Sequence, residues 1–412
     1  MILFLKKCIR FFYFFPQRMR CGFLDGFNTF ILDFNSKFSF LKLLALYTLI
    51  LFEKSGFNIG HLWSKSSWKS VFASFVGNRF NINHLGNVYS IKNSSLSITQ
   101  KIEKQVIQWN KKVIHCGNRN IEGYVTSGGT ESNLFLMWMG REYLKEKNNS
   151  RPILLATDFT HYSINKSARI LDIDSFIVKV DKKNWGMSLL DLEKVVLKFI
   201  KNKKCSFLLP ITIGYSSTGA SDPLKKIVEL IKKLKKKHSN LKCFIWVDAA
   251  AQGLPKSFLE SNFRPMESDL IKGYVVDFHK HGDTPLPSGI VLYKNNLRKL
   301  IEVPIPYLFE NDSTILGSRP GSSALSIWAN IVGNNRSRWK KKFSNLEIKK
   351  TSLIKRLRKI NPDANILCFK NSLTFAIELN SDFKEFPKEF GSEYQFVKCE
   401  INGFIHYKFH VQ

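Results

Sequence analysis

The chain has 412 residues, 44% hydrophobic and 23% charged, enough to bury one large core and a smaller second one. Its formal charge of +30 raises nucleic acid or an anionic surface as partners, yet the lysines alternate with Leu, Ile, Phe and Trp at helical spacing, and no base-stacking module or finger spacing accompanies them. Solvated helix faces are therefore expected and no nucleic acid partner. Seven scattered cysteines without paired ligand or redox spacing point to a reducing, cytoplasmic setting and no metal site; Cys205 and Cys243 lie in apolar runs as inert core residues.

Residues 1–55 are crowded with Phe and Leu and punctuated by Lys6, Lys7, Arg10, Arg18 and Arg20. The longest uncharged apolar run, 43–52, falls short of the roughly 20 residues a bilayer span needs, and no signal-peptide pattern precedes it. A buried or dimer-packing arm is expected here, with an interfacial membrane anchor as the less favoured alternative.

From Phe57 onward, apolar strand-like runs alternate with longer amphipathic stretches, which predicts α/β layers. Predicted strands are 123–126, 153–157, 175–180, 207–213, 243–247, 273–277 and 289–293, forming one mostly parallel sheet. Predicted helices are 97–110, 131–145, 162–171, 189–201, 224–237 and 322–332, most of them filling the gaps that crossover connections require. A basic helix over 336–360, then a strand at 372–379, suggests a smaller C-terminal domain. The expected division is an arm over 1–55, a large domain over 56–335 and a small one over 336–412.

Four segments carry chemistry. Thr126-Ser127-Gly128-Gly129-Thr130-Glu131-Ser132-Asn133 follows a strand and opens a helix, so backbone amides can approach a phosphate at the positive helix end. The pattern is neither the dinucleotide GxGxxG nor the GxxxxGK[ST] of nucleotide triphosphate enzymes; its alternative reading is a tight turn capped by Thr130 or Ser132. His161 opens the next predicted helix, where it can stack on a flat ring or stand as a satisfied polar residue. Asp248 ends a strongly apolar strand and precedes Ala249, Ala250 and Ala251, whose small side chains leave room for a ring; a helix cap is the alternative. Lys280 follows His279 after another strand, in a loop constrained by Gly282, Pro285, Pro287 and Gly289. An amine to hold an aldehyde, a carboxylate for a ring nitrogen and amides for a phosphate together describe a pyridoxal phosphate site.

With these motifs in place, the chain resembles the group II pyridoxal phosphate-dependent amino acid decarboxylases, most closely the bacterial histidine decarboxylase branch. The likeness runs through 57–60, 123–133, 160–163, 219–222, 247–250, His279-Lys280, 314–321 with Trp328, and 371–374. It implies a fold type I, aspartate aminotransferase-like homodimer active in amino acid metabolism, a lyase that decarboxylates histidine or a similar L-amino acid. It further implies that Lys280 carries the internal aldimine, Asp248 pairs with the ring nitrogen, and His161 stacks over the ring. Ser127, Gly128, Gly129, Thr130 and His279 would sit near the phosphate, and Ala250 beside the ring. Ser318 would reach the neighbouring protomer's cofactor, and Tyr307 is a candidate proton donor or a packed loop aromatic.

Two departures stand out. Asp277 occupies a step where the histidine decarboxylase branch has serine, and an anion there sits badly beside a phosphate. Sphingosine phosphate lyases are similar at this step and in Gly317 to Gly321, which makes carbon-carbon cleavage of that type the alternative activity. Gly214-Tyr215-Ser216 stands for the family's Gly-Thr-Thr, which is expected to change the bulk beside the cofactor.

Overall fold

The computed structural model describes residues 57–58, 65–117, 120–148, 151–306, 310–379, 394–395 and 397–411; the arm over 1–55 and Tyr307 lie outside them. Strand β1 (Phe57–Asn58), helix α1 (Trp68–Arg79), strand β2 (Asn83–Leu85) and helix α2 (Ile98–Val113) precede the central sheet. A capping box starts α2: the Ser97 hydroxyl accepts the Gln100 N–H, and the Gln100 side chain accepts the Ser97 N–H.

The sheet is built from β3 (Ile121–Thr126), β4 (Ile153–Ala156), β5 (Asp174–Ile177), β6 (Ser206–Thr212), β7 (Lys242–Asp248), β8 (Ile271–Asp277) and β9 (Gly289–Lys294). Between them run α3 (Gly129–Asn148), α4 (Tyr162–Ile170), α5 (Leu189–Lys201), α6 (Leu224–Lys237), α7 (Gly253–Leu259) and a single turn, α8 (Phe278–His281). Across the sheet the order is β3-β9-β8-β7-β6-β4-β5. Neighbours from β8 to β5 are parallel, and β9 alone runs against both β3 and β8. The apolar runs of β6 and β7 are explained by burial on both faces. Ile245 and Val247 join one core, whereas Phe244 and Trp246 join the core on the opposite side.

After β9 come β10 (Val303–Ile305) and β11 (Glu310–Asp312), an antiparallel pair, then β12 (Ser318–Pro320), which pairs with β2. Helices α9 (Gly321–Val332) and α10 (Arg336–Ile360) lead into β13 (Ile366–Cys368), β14 (Thr374–Glu378), β15 (Tyr394–Gln395), β16 (Val397–Ile401) and β17 (Phe404–His410). Strand β15 runs parallel to β1, and a smaller antiparallel sheet has the order β13-β14-β17-β16.

Helices α5, α6 and α10 span the residues that periodicity predicts. Strand β5 ends at Ile177, short of the expected Val180: Val178 still donates to the Ala156 carbonyl, but Lys179 and Val180 turn to Ser188 and Met187, the latter in an isolated bridge. Helix α1 is not among the predicted elements, although Trp68, Val71, Phe72 and Phe75 stand at i, i+3, i+4 and i+7; this apolar stripe is exposed. No described helix is long and apolar enough to cross a membrane. With β3, β4, β6, β7 and β8 all pointing the same way, their carboxyl ends open onto one crevice, where open α/β sheets bind ligands.

Candidate active site

Thr126 ends β3, and Ser127 to Thr130 turn the chain into α3. Gly128 sits at φ +150°, and a Cβ on it would lie 3.0 Å from the His279 ring. A Cβ on Gly129 would meet that of Ala250 at 3.1 Å and an Asp277 oxygen at 3.2 Å. A side chain at either place would have to push these neighbours back by a few tenths of an ångström, so glycine suits the close packing of the turn under α8. Glu131 secures the turn from inside, accepting the Ser127 N–H at 2.7 Å and the Tyr124 hydroxyl at 3.2 Å.

Asp248, at the end of β7, is buried and held from two sides. One oxygen accepts the Asn133 side-chain amide at 2.9 Å, the other the Ala250 N–H at 3.2 Å. The Trp246 indole donates to the Asn133 carbonyl oxygen at 2.9 Å, which leaves the amide NH2 for Asp248.

Lys280 lies one turn beyond Asp277, with its Nζ 3.0 Å from an Asp277 oxygen. His279 donates Nδ1–H to the Ser288 carbonyl at 3.0 Å, and its Nε2 lies 3.5 Å from Asp277. Burial lowers the His279 pKa, the Asp277 charge opposing and Lys280 assisting. Across the cavity, His161 caps α4: its Nδ1 accepts the Ser163 N–H at 3.3 Å, which leaves the ring proton at Nε2. Burial, then the Lys280 charge, holds His161 below the ordinary histidine pKa against Asp248 and Asp277, so the ring is neutral near pH 7.

All nine residues singled out from sequence, Ser127, Gly128, Gly129, Thr130, His161, Asp248, Ala250, His279 and Lys280, line one cavity of about 340 Å³. Asn133, Thr212, Gly214, Ala251, Asp277 and Leu286 complete much of its wall. Ser318 does not reach it within one chain; it is exposed on β12 and accepts from Asn83 at 3.1 Å. Its neighbour Arg319 is buried, paired with Glu103 at 2.6 Å; Glu103 also holds His84 at 2.6 Å.

Sequence reasoning passed over Asn133 as a site residue, although it stands in the glycine motif. A buried polar side chain one turn into an apolar helix was the available signal. It also missed a second network. The Tyr215 hydroxyl donates to Asp222 at 2.5 Å and accepts from Thr157 at 2.9 Å, so Tyr215 flanks the cavity with its ring while its polar end is engaged elsewhere. Burial pushes Asp222 up to about 6 against the bonds from Tyr215, Thr212 and Met187.

The wall suits pyridoxal phosphate: a glycine turn that any Cβ would crowd, an amine, and a carboxylate fixed at a strand end. Two buried oxygens at the cavity, Thr212 Oγ1 and Asp277 Oδ1, also lack a hydrogen-bond partner. At this volume the cavity is large enough for a small cofactor.

Comparison with known proteins agrees. The pyridoxal-dependent decarboxylase conserved domain matches residues 61–322. A histidine decarboxylase of Vibrio anguillarum is 27% identical over 292 residues, covering 71% of this chain and 72% of that protein. One from Klebsiella aerogenes is 28% identical over 327 residues, 79% of this chain and 82% of that protein. The fold matches that of L-methionine decarboxylase from Streptomyces sp. 590 at TM-score 0.77, over 90% of this chain and 91% of that one, at 16% identity. Glutamate decarboxylase of Lactobacillus brevis gives TM-score 0.77 over 92% and 89%, at 15% identity. The chain belongs to the pyridoxal-dependent decarboxylase family, as a carboxy-lyase whose cofactor is pyridoxal 5′-phosphate.

Proposed function

We propose that this amino acid decarboxylase acts on L-histidine or a closely similar amino acid, as a cytoplasmic homodimer, with Lys280, Asp248 and His161 at the centre of its site. The observation that carries the reading is the convergence of these three side chains and the glycine turn on one cavity. Bound pyridoxal phosphate supplies an electron sink for the charge left when a carboxylate departs from the α-carbon. Lys280 would hold its aldehyde, Asp248 its ring nitrogen, and Ser127 to Thr130 with His279 its phosphate. Ala250 leaves space for the ring, and the neutral imidazole of His161 covers it without adding a second cation. The large domain, 56–335, provides all of these groups.

Histidine is favoured by the names of the curated relatives, at 27–29% identity. The lyase alternative has Asp277, the Gly317 to Gly321 run and the apolar amino terminus in its support. Carbon dioxide release from a panel of L-amino acids by the purified protein tests the assignment. Histidine should be turned over fastest; a tenfold preference for an unrelated side chain would overturn it. Light scattering on the same preparation reads the dimer, and a monomer that turns over at the full rate removes that part of the proposal.

A further inference from the structure

Of the two carboxylates in the cavity wall, Asp248 is turned to Asn133 and the Ala250 amide. Asp277 is lodged instead among the groups that an incoming phosphate needs. It pairs with Lys280 at 3.0 Å and packs against Gly129, the first residue of α3, where a Cβ would lie 3.2 Å from its oxygen. His279 stands 3.5 Å away, and the second Asp277 oxygen is buried without a partner. The side chain is 2% exposed, so water does little to screen it.

We propose that Asp277 is a resident anion of the phosphate cradle: it occupies the Lys280 ammonium beside the His279 ring in the unloaded protein, and phosphate enters with the uptake of a proton that the two anions share. The proposal rests on the cofactor assignment and adds a regulation of loading to it. A phosphate monoester carries nearly two negative charges near pH 7. Two anions crowded into one dry site cannot both stay fully ionised without cost, so the pair takes up a proton, shared between the carboxylate and a phosphate whose second pKa is about 6.

Before loading, burial works to raise the Asp277 pKa, but Lys280, His279 and the Gly129 amide outweigh it and hold the carboxyl below its usual range. His161 from α4 faces the same space, as does Asp248 from β7. The proton is therefore absent beforehand and taken up on binding. A ligand whose binding takes up a proton loses affinity as pH rises. A serine at this position would remove the competitor and offer a hydroxyl to the phosphate.

The test is equilibrium dialysis of the full-length protein, freed of cofactor, against pyridoxal 5′-phosphate and against pyridoxal, at pH 6.0 and 7.5. Comparing the vitamers cancels any change in the reactivity of Lys280, which both share. In Asp277→Ser the preference for the phosphorylated vitamer at pH 7.5 should rise about tenfold over wild type. The decline of that preference between the two pH values should shrink. Asp277→Asn, closer in shape, should do the same and covers the case in which the serine variant misfolds. An unchanged or reduced preference in the folded variants overturns the proposal. Failure of the wild type to bind either vitamer would overturn the cofactor assignment instead.

Discussion

Asn133 on α3 donates its side-chain amide to Asp248 at the end of β7, across 2.9 Å and 115 positions of sequence. Because the Trp246 indole fills the Asn133 carbonyl, the amide cannot turn round without losing both bonds. Asn133→Ala leaves Asp248 with the Ala250 amide as its remaining hydrogen-bond donor. Losing one bond to a buried charge is worth roughly 1.5–3 kcal/mol. The turnover number should fall about tenfold or more, while KM for the amino acid changes little. Steady-state kinetics at saturating cofactor decides it, and an unchanged turnover number contradicts a positioning role.

Lys280→Ala should abolish turnover and the covalent cofactor adduct. Borohydride reduction followed by peptide mass spectrometry reads the adduct directly, on the peptide that contains Lys280 in wild type. An adduct on any other lysine would remove Lys280 from its place. Asp248→Asn, by contrast, should keep bound cofactor and lose most of the rate.

Acid should destabilise the fold through His281. Burial, then the charges of Lys342 and Lys280, depresses this histidine to about 3. In the unfolded chain it titrates near 6.5, so between these values the unfolded state binds more protons. Stability is complete above about pH 6.5 and declines as pH falls toward 3. Between pH 7.5 and 5.0 the loss from this residue is about 2 kcal/mol. Urea unfolding at both pH values should show a smaller loss for His281→Gln than for wild type; equal losses would refute the assignment.

The buried trio of Glu103, Arg319 and His84 joins β12, α2 and β2. Burial works to raise the Glu103 pKa, but Arg319 and His84 outweigh it and bring the carboxyl down to about 2. Arg319 also donates to the Val125 and Gly86 carbonyls, at 3.0 and 2.7 Å. Arg319→Met leaves the carboxylate buried beside an apolar stem, at an expected cost of about 3–5 kcal/mol. Denaturant midpoints measure it. A cost under about 1 kcal/mol would mean that the site relaxes or admits water.

Much of this was legible in the sequence because it is local. Helices α5 and α6 bury one stripe each, Leu192, Val195 and Val196 in the first and Ile227, Val228, Ile231 and Leu234 in the second, so period alone delimits them. Lys280, Asp248 and the glycine turn each stand just past or at the carboxyl end of a strand, where chemistry can be inferred from neighbours. Asn133, Tyr215 and Asp222 were harder, because each draws its meaning from a partner on another element. The antiparallel C-terminal sheet was legible only at β14, which is buried over four of its five residues; β17 has a mixed pattern with no clean alternation. Asp277 is a visible misfit in the sequence, but Lys280 and His279 become a clamp only when α8 turns them back toward it.

The turn just after Lys280 is fastened from behind. Lys342 on α10 donates to the His281 carbonyl and to Asp283, both at 2.6 Å, and Asn330 on α9 donates to the Gly282 carbonyl. The backbone under the amine is thus riveted to two helices from the far end of the chain. Any exchange of partners at that nitrogen must be managed by rotation within one flexible butyl stem, a pendulum on a fixed mount. Changes that loosen Lys342 or Asn330 would blur where the pendulum hangs long before they touched anything it strikes.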